Sequence, residues 1–279
     1  MWKDEYELGV ERIDKQHKEL FRIVSELLDT AKSDEHYNKE VVIKTITFLK
    51  NYAVQHFHDE EEYQKSINYE RLNKHQDIHR KLVSDLLSHE RTLIESDFAL
   101  GDVKNFIGFL SMWLVNHVAG EDQLIVGKKD HHITIETDSL SQAIESGIYK
   151  TLHVMAGMNP QNVKKRTEQA KDGQYGILIQ SNLHGDQKHK IYYQFSKESA
   201  LKLFERMTDY NPGILDELVY SAAAEITNII ASNAAAAMLL MGEECTVDPP
   251  SILFSQKLQE EDVTIVLDSE FGELAISIK

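Results

Sequence analysis

Seven side chains with metal-ligand chemistry recur in the first half of this chain. His56 and Glu60 are four residues apart, and so are His75 and His79. Positions i and i+4 share a helix face, so each pair can aim two ligands at one centre. His17 lies upstream, and His117 and Asp122 lie downstream, five residues apart. That last step overshoots one α-helical circuit by about 140°. Asp122 must therefore reach around, as a bridging carboxylate near a helix end can. A single His-x-x-x-His carries little weight. Seven imidazoles and carboxylates aimed into one core carry more, because burying such groups is costly unless they are paired or metal-bound.

The ligand count points to two metals. Two six-coordinate ions offer about twelve positions. Five imidazoles take five, two bridging carboxylates take four, and an oxo or hydroxo bridge takes two. One position stays open. Imidazole-rich ligation suits iron, and an open position on a reduced di-iron centre is where O2 can bind. Carboxylate-rich di-iron sites built on Glu-x-x-His serve oxidation chemistry. Here imidazole dominates and the paired Glu-x-x-His is absent, which favours reversible binding.

Four amphipathic stretches must position these groups. They cover residues 14–32, 39–65, 70–90 and 98–125, with apolar residues recurring at three and four. Long helices joined by short polar loops imply an all-α, up-and-down four-helix bundle. The character changes near residue 130. A helix is expected over 139–157, then strands over 175–180 and 190–195 around a turn at His184-Gly185-Asp186. Ser196 is the expected N-cap of the next helix. A long helix follows over 212–241, then strands over 247–254, 263–267 and 273–278. The pattern implies a separate α+β domain. The expected boundaries are 1–126 for the bundle, 127–137 for a linker and 138–279 for the second domain.

A chain of 279 residues fits two domains. Hydrophobic residues at 42% and charged residues at 27% are ordinary globular composition. A formal charge of −16 disfavours nucleic-acid and membrane partners. The lone Cys245 fits a reducing compartment. Residues 1–7 lack a basic start and an apolar core, so no signal peptide is expected there. The longest apolar run, 229–242, is interrupted by Ser232 and Asn233 and is shorter than a membrane span of about 20 residues. A soluble, cytoplasmic protein is expected.

The long helix of the second domain carries Ser221, Glu225 and Asn228 one turn apart, so they share a face. Ala222–Ala224 and Ala234–Ala237 are small and allow another backbone to approach closely. Pro249-Pro250 follows.

Residues 2–126 resemble a bacterial hemerythrin. The carriers are Ile13-Asp14-Lys15-Gln16-His17, His56-Phe57-His58-Asp59-Glu60-Glu61, His75-x-x-x-His79 and Trp113-Leu114-Val115-Asn116-His117 with Asp122. The resemblance implies one iron held by His75, His79 and His117, a second by His17 and His56, and bridging by Glu60 and Asp122. It implies O2 bound end-on at the two-histidine iron, in a pocket lined by Trp113 and Leu114. Two positions depart from the family. Gln64 stands where the family usually has Met, making the surroundings more polar, and Tyr69-Glu70 stands where it has Tyr-Pro. His58 and Glu61 are read as solvated, and His131 and His132 as linker residues rather than ligands.

Residues 136–279 resemble the CheX/CheC family of chemotaxis phosphatases, nearest to CheX. The carriers are Ser221, Glu225, Asn228 and Pro249-Pro250, with the turn at 195–203 and the last strand around Phe271-Gly272-Glu273-Leu274. The resemblance implies hydrolysis of the aspartyl phosphate on a CheY-type response regulator. Asn228 orients the attacking water, Glu225 pairs with the regulator's lysine, and the regulator brings its own Mg2+. It also implies a homodimer. Together the two motifs suggest an O2- or redox-sensing phosphatase. The other reading is an O2- or NO-binding module whose second domain serves only as a dimerisation or docking scaffold.

Overall fold

The computed structural model describes residues 1–32, 37–127, 139–169, 176–254 and 263–279, in two compact units, Met1–Asp130 and His131–Lys279. The expected linker, from residue 128 on, lies outside the described residues, as do His131 and His132.

The first unit contains four long helices: α1 (Glu11–Thr30), α2 (Lys39–Ser66), α3 (Leu72–Glu95) and α4 (Leu100–Asn116). Each starts for a local reason. Asp14 in the first turn of α1 accepts from the backbone N–H of Leu8 at 2.7 Å and of Gly9 at 3.0 Å, tying down the entering chain. Asn38 caps α2 by accepting from Val41 N–H. Asp97 and Phe98 are left-handed, at φ 53° and 58°, so α4 starts at Leu100 and not at 98 as the periodicity suggests. The apolar face of α1, with Ile13, Leu20, Val24, Leu27 and Leu28, is buried in a core that includes Phe21, Phe106, Ile107 and Met112.

The chain does not remain α-helical to 125. After Asn116 it widens into a π-helical turn, His117–Glu121, followed by a 3-10 turn, Asp122–Leu124. Gln123 fixes this end by donating to the carbonyls of Tyr6 at 2.8 Å and Val118 at 3.1 Å.

The second unit is an antiparallel sheet with helices α5 (Leu140–Ala156), α6 (Lys197–Thr208) and α7 (Glu217–Leu240). The strands are β1 (Lys164–Gln169), β2 (Ile177–His184), β3 (Lys188–Phe195), β4 (Thr246–Val247), β5 (Ser251–Ile252), β6 (Val263–Ser269) and β7 (Gly272–Ile278), in the order β1-β6-β7-β3-β2-β4, with β5 also on β2. Ser139 caps α5, and Gly157 ends it at φ 71°. Ser196 caps α6 as expected, accepting from Ser199 N–H at 3.0 Å.

This unit also departs from the sequence expectation in places. β1 reads Lys-Lys-Arg-Thr-Glu-Gln and has no apolar alternation; it is an edge strand, paired among the described residues only with β6, and its Arg166 donates to Glu273 at 2.6 Å. The single strand expected over 247–254 is two short pieces, β4 and β5, separated by Asp248-Pro249-Pro250; proline cannot donate to the ladder. α7 begins at Glu217, capped by Asp216, rather than at Pro212, because Gly213 is left-handed at φ 72°.

By length and composition α7 could cross a membrane. In this unit it is a core helix, with Leu218, Val219, Ala222, Ile226, Ile230 and Ala234 buried. It packs closely on α5. A Cβ added at Gly147 would lie 2.5 Å from the Ile230 carbonyl oxygen and 3.0 Å from Ala234 N. Of the small residues noted in the sequence, Ala234 lies at this backbone approach.

Candidate metal centre and candidate hydrolytic helix

The seven predicted ligands converge inside the bundle, one from α1, two each from α2 and α3, and two from the π turn and the residue after it. His17, His56, Glu60, His75, His79, His117 and Asp122 are all at most 3% exposed. His75 Nε2 lies 2.8 Å from Glu60 Oε1, and His79 Nε2 and His56 Nε2 each lie 3.5 Å from Glu60 Oε2. On the other carboxylate, His117 Nε2 lies 3.1 Å and His75 Nε2 3.4 Å from Oδ1 of Asp122, while His17 Nε2 lies 3.2 Å from Oδ2. Ligand atoms of Glu60, His75, His79 and His117 lie within 4.8 Å of one another, as do those of His17, His56 and Glu60. Glu60 belongs to both groups.

The fit to metal can be tested on the polar atoms. Both ring nitrogens of His17, Nε2 of His56 and both carboxylate oxygens of Asp122 are buried and make no aligned hydrogen bond among the described residues. Native interiors rarely leave such atoms unsatisfied. His79 Nε2 and His117 Nε2 face each other at 3.1 Å. Nitrogens and oxygens at these separations can hold a shared ion.

Protonation agrees. Burial pushes His17 down to about 4. Burial, reinforced by neighbouring imidazoles, pushes His56 and His117 well below the usual histidine value. A neutral imidazole has a lone pair to give. Burial pushes the Glu60 carboxyl up, but the ring nitrogens of His75, His79 and His117 outweigh it and hold Glu60 well below the usual range. Burial, and then the charge of Glu60, pushes Asp122 well above it. Two carboxylates this close call for positive charge between them.

The sequence reading missed the groups behind the ligands. Glu61, read as solvated, instead accepts from His79 Nδ1 at 3.1 Å, and Gln76 Nε2 donates to its other oxygen at 2.7 Å. His56 Nδ1 lies 3.4 Å from Gln16 Oε1, and Gln16 Nε2 donates to Asp59 at 2.7 Å. Both contacts put the proton on Nδ1 and leave Nε2 for a ligand bond. No local spacing marks them: Gln16 precedes His17 but contacts His56, and Glu61 follows Glu60 but contacts His79. His58 is exposed, as expected.

Trp113 and Leu114 line an apolar cavity of about 20 Å³ that also touches Phe57, Leu110, His56 and His117. That volume exceeds the ~10–15 Å³ needed for one water-sized molecule. The Trp113 ring stacks on His117 with centroids 4.4 Å apart.

In the second unit Ser221, Glu225 and Asn228 are half-buried on one face of α7, while Ala222, Ala223, Ile226 and Thr227 face inward. Asn228 Nδ2 donates to Glu225 Oε2 at 3.3 Å. Both side chains stay within reach of a docked molecule. Pro249 is exposed.

Known proteins show the same division. Residues 8–128 match the hemerythrin HHE cation binding domain, and residues 177–268 match the chemotaxis phosphatase CheX. The bacteriohemerythrin of Clostridium acetobutylicum is 31% identical over 124 residues, covering 44% of this chain and 95% of the relative. The myohemerythrin of Theromyzon tessulatum is 32% identical over 127 residues, covering 46% and 91%. Among solved structures, CheX of Vibrio vulnificus is similar with TM-score 0.42 and 19% identity, over 50% of this chain and 97% of that one. A CheX-CheY-BeF3-Mg complex from Borrelia burgdorferi is similar with TM-score 0.40 and 17% identity, over 51% and 97%. The chain belongs to the hemerythrin family through its N-terminal domain and joins to it a C-terminal CheX/CheC-like domain.

Proposed function

We propose that this protein senses O2 or redox state at a di-iron centre and hydrolyses the aspartyl phosphate of a CheY-type response regulator. The observation that carries the reading is the buried set of five imidazoles and two carboxylates with unsatisfied ligand atoms, in a chain that also matches a chemotaxis phosphatase. His75, His79 and His117 would hold one iron, His17 and His56 the other, and Glu60 and Asp122 would span both. When bound, the iron pair supplies reversible O2 binding and redox change. The chain's own residues do the rest. Glu61 and Gln16 orient the imidazoles of His79 and His56. Phe57, Leu110, Trp113 and Leu114 keep the adjoining cavity apolar, which limits water and charge escape.

In the second unit, phosphoryl transfer to water needs mainly positioning. Asn228 accepts a hydrogen bond from the attacking water and orients it toward phosphorus. The P–O bond to the regulator's aspartate then breaks, releasing phosphate and a free carboxylate. Glu225 pairs with a regulator lysine and fixes the approach. Mg2+ comes with the regulator. The reading includes a homodimer through the CheX-like domain, as the resemblance to CheX implies, and a cytoplasmic location, which the lone Cys245 fits.

The test is decay of a phosphorylated regulator with and without the reduced protein, with and without O2, while the absorption spectrum reports the iron state. Faster decay that changes with O2 supports both halves. Faster decay indifferent to O2 removes the sensing half. No acceleration with any cognate regulator leaves an O2- or NO-binding module on a docking scaffold.

A further inference from the structure

Gln64 lies on α2 one turn after Glu60 and is fully buried. Its Nε2 donates to Glu60 Oε1 at 2.6 Å. The same carboxylate oxygen lies 2.8 Å from His75 Nε2. A carboxylate that binds metal is ionised and only accepts, so the nitrogen end of the amide must face it. The other end, Oε1, is buried and has no hydrogen-bond partner among the described residues. An apolar side chain would fill this position without an orphaned acceptor, which is a costly thing to bury. A merely structural role therefore does not explain the amide.

We propose that Gln64 is a positioning residue for the metal centre: its amide holds the Glu60 carboxylate in place and draws electron density from it, biasing the bound metal toward its reduced form. The physical basis is simple. A hydrogen bond to a ligand atom competes with the metal for that atom's lone pairs. A weaker oxygen donor stabilises the higher oxidation state less. Oε1 is the oxygen nearer His75, while His79, His117 and His56 lie nearer Oε2, so the effect reaches the centre through the carboxylate that both ligand groups share. The inference rests on the di-iron reading above and adds to it a residue where the sequence departs from the hemerythrin pattern.

The test uses the full chain and the variants Gln64→Met and Gln64→Leu, which keep an unbranched or apolar filling without a donor. Iron per chain, circular dichroism and the midpoint potential from a spectroelectrochemical titration are measured together. The expected result is a lower midpoint potential in both variants, with the oxidised-to-reduced ratio at fixed potential rising about tenfold. Loss of iron with the fold retained also supports the proposal, since the carboxylate is then no longer held. Two irons at an unchanged potential would overturn it.

A second measurement covers variants that do not fold and a wild type that does not take up iron. In metal-free, 15N-labelled protein, the Gln64 side-chain amide should be shifted downfield and slow to exchange, and Glu60→Ala should abolish both features. An ordinary, fast-exchanging amide would overturn the inference. If wild-type protein binds no iron while the amide remains protected, the di-iron reading fails and the Gln64–Glu60 contact stands.

Discussion

The backbone N–H of Asp122 donates to the carbonyl oxygen of His117, five residues back, and this π-type bond closes the turn that carries both side chains to the centre. The same turn leaves His117 Nε2 3.1 Å from Asp122 Oδ1. An α-helix would rotate the fifth residue away. The wider turn absorbs one extra residue and returns Asp122 to the face of His117, and such π turns are frequent at functional sites.

This geometry predicts opposite outcomes for two length variants. Deleting Ala119 should convert the π turn to an α turn with His117 and the aspartate four apart, still on one face, and iron per chain should be retained. Inserting one alanine after Ala119 should swing Asp122 off that face and cut iron per chain by half or more. Metal analysis of the purified proteins checks both.

Metal-free protein should lose stability in its N-terminal domain as pH falls from 7.5 to 5. His17, at about 4 in the fold, and His56 and His117, also depressed, stay neutral where the unfolded chain takes up protons near 6.5. The unfolded state then binds more protons, so each such group removes up to about 1.4 kcal/mol per pH unit. Asp122 acts in the opposite sense. Its raised carboxyl takes up a proton in the fold before it would in the unfolded chain, which favours the fold as pH falls. Asp122→Asn should therefore show the steeper loss. Trp2 and Trp113 are the chain's two tryptophans and both lie in this domain, so tryptophan fluorescence in urea reports it selectively.

Gly147→Ala should destabilise the C-terminal domain by about 1–3 kcal/mol, the usual cost of overpacking. The added Cβ would meet the Ile230 carbonyl oxygen at 2.5 Å, and backbone cannot rotate aside as a side chain can. Calorimetry should show one transition lowered and the other unmoved.

Glu225→Ala and Asn228→Ala should each abolish acceleration of phosphoryl-regulator decay. Their half-buried positions on the outer face of α7 predict stability within about 0.5 kcal/mol of wild type. Loss of activity together with a large loss of stability would count against a role in hydrolysis.

Periodicity alone determined much of this protein. The four helices of the bundle and the inward sets His56/Glu60 and His75/His79 follow from residues that recur at three and four, because a helix maps that spacing onto one face, and Ser196 as a cap follows from its residue type. The convergence of the ligands was legible from their residue types, since burying so many imidazoles and carboxylates is costly unless they are paired or metal-bound. Tertiary structure decided what spacing does not encode. The π turn that recruits Asp122 breaks the period used to read helices. Glu61 and Gln16 became partners of ligands because α3 and α1 face α2 across the bundle, which no local pattern states. β1 is held by pairing with β6, not by any apolar alternation of its own. Gln64, a departure from the family pattern in sequence, acquires meaning only through the 2.6 Å contact that folding makes with Glu60.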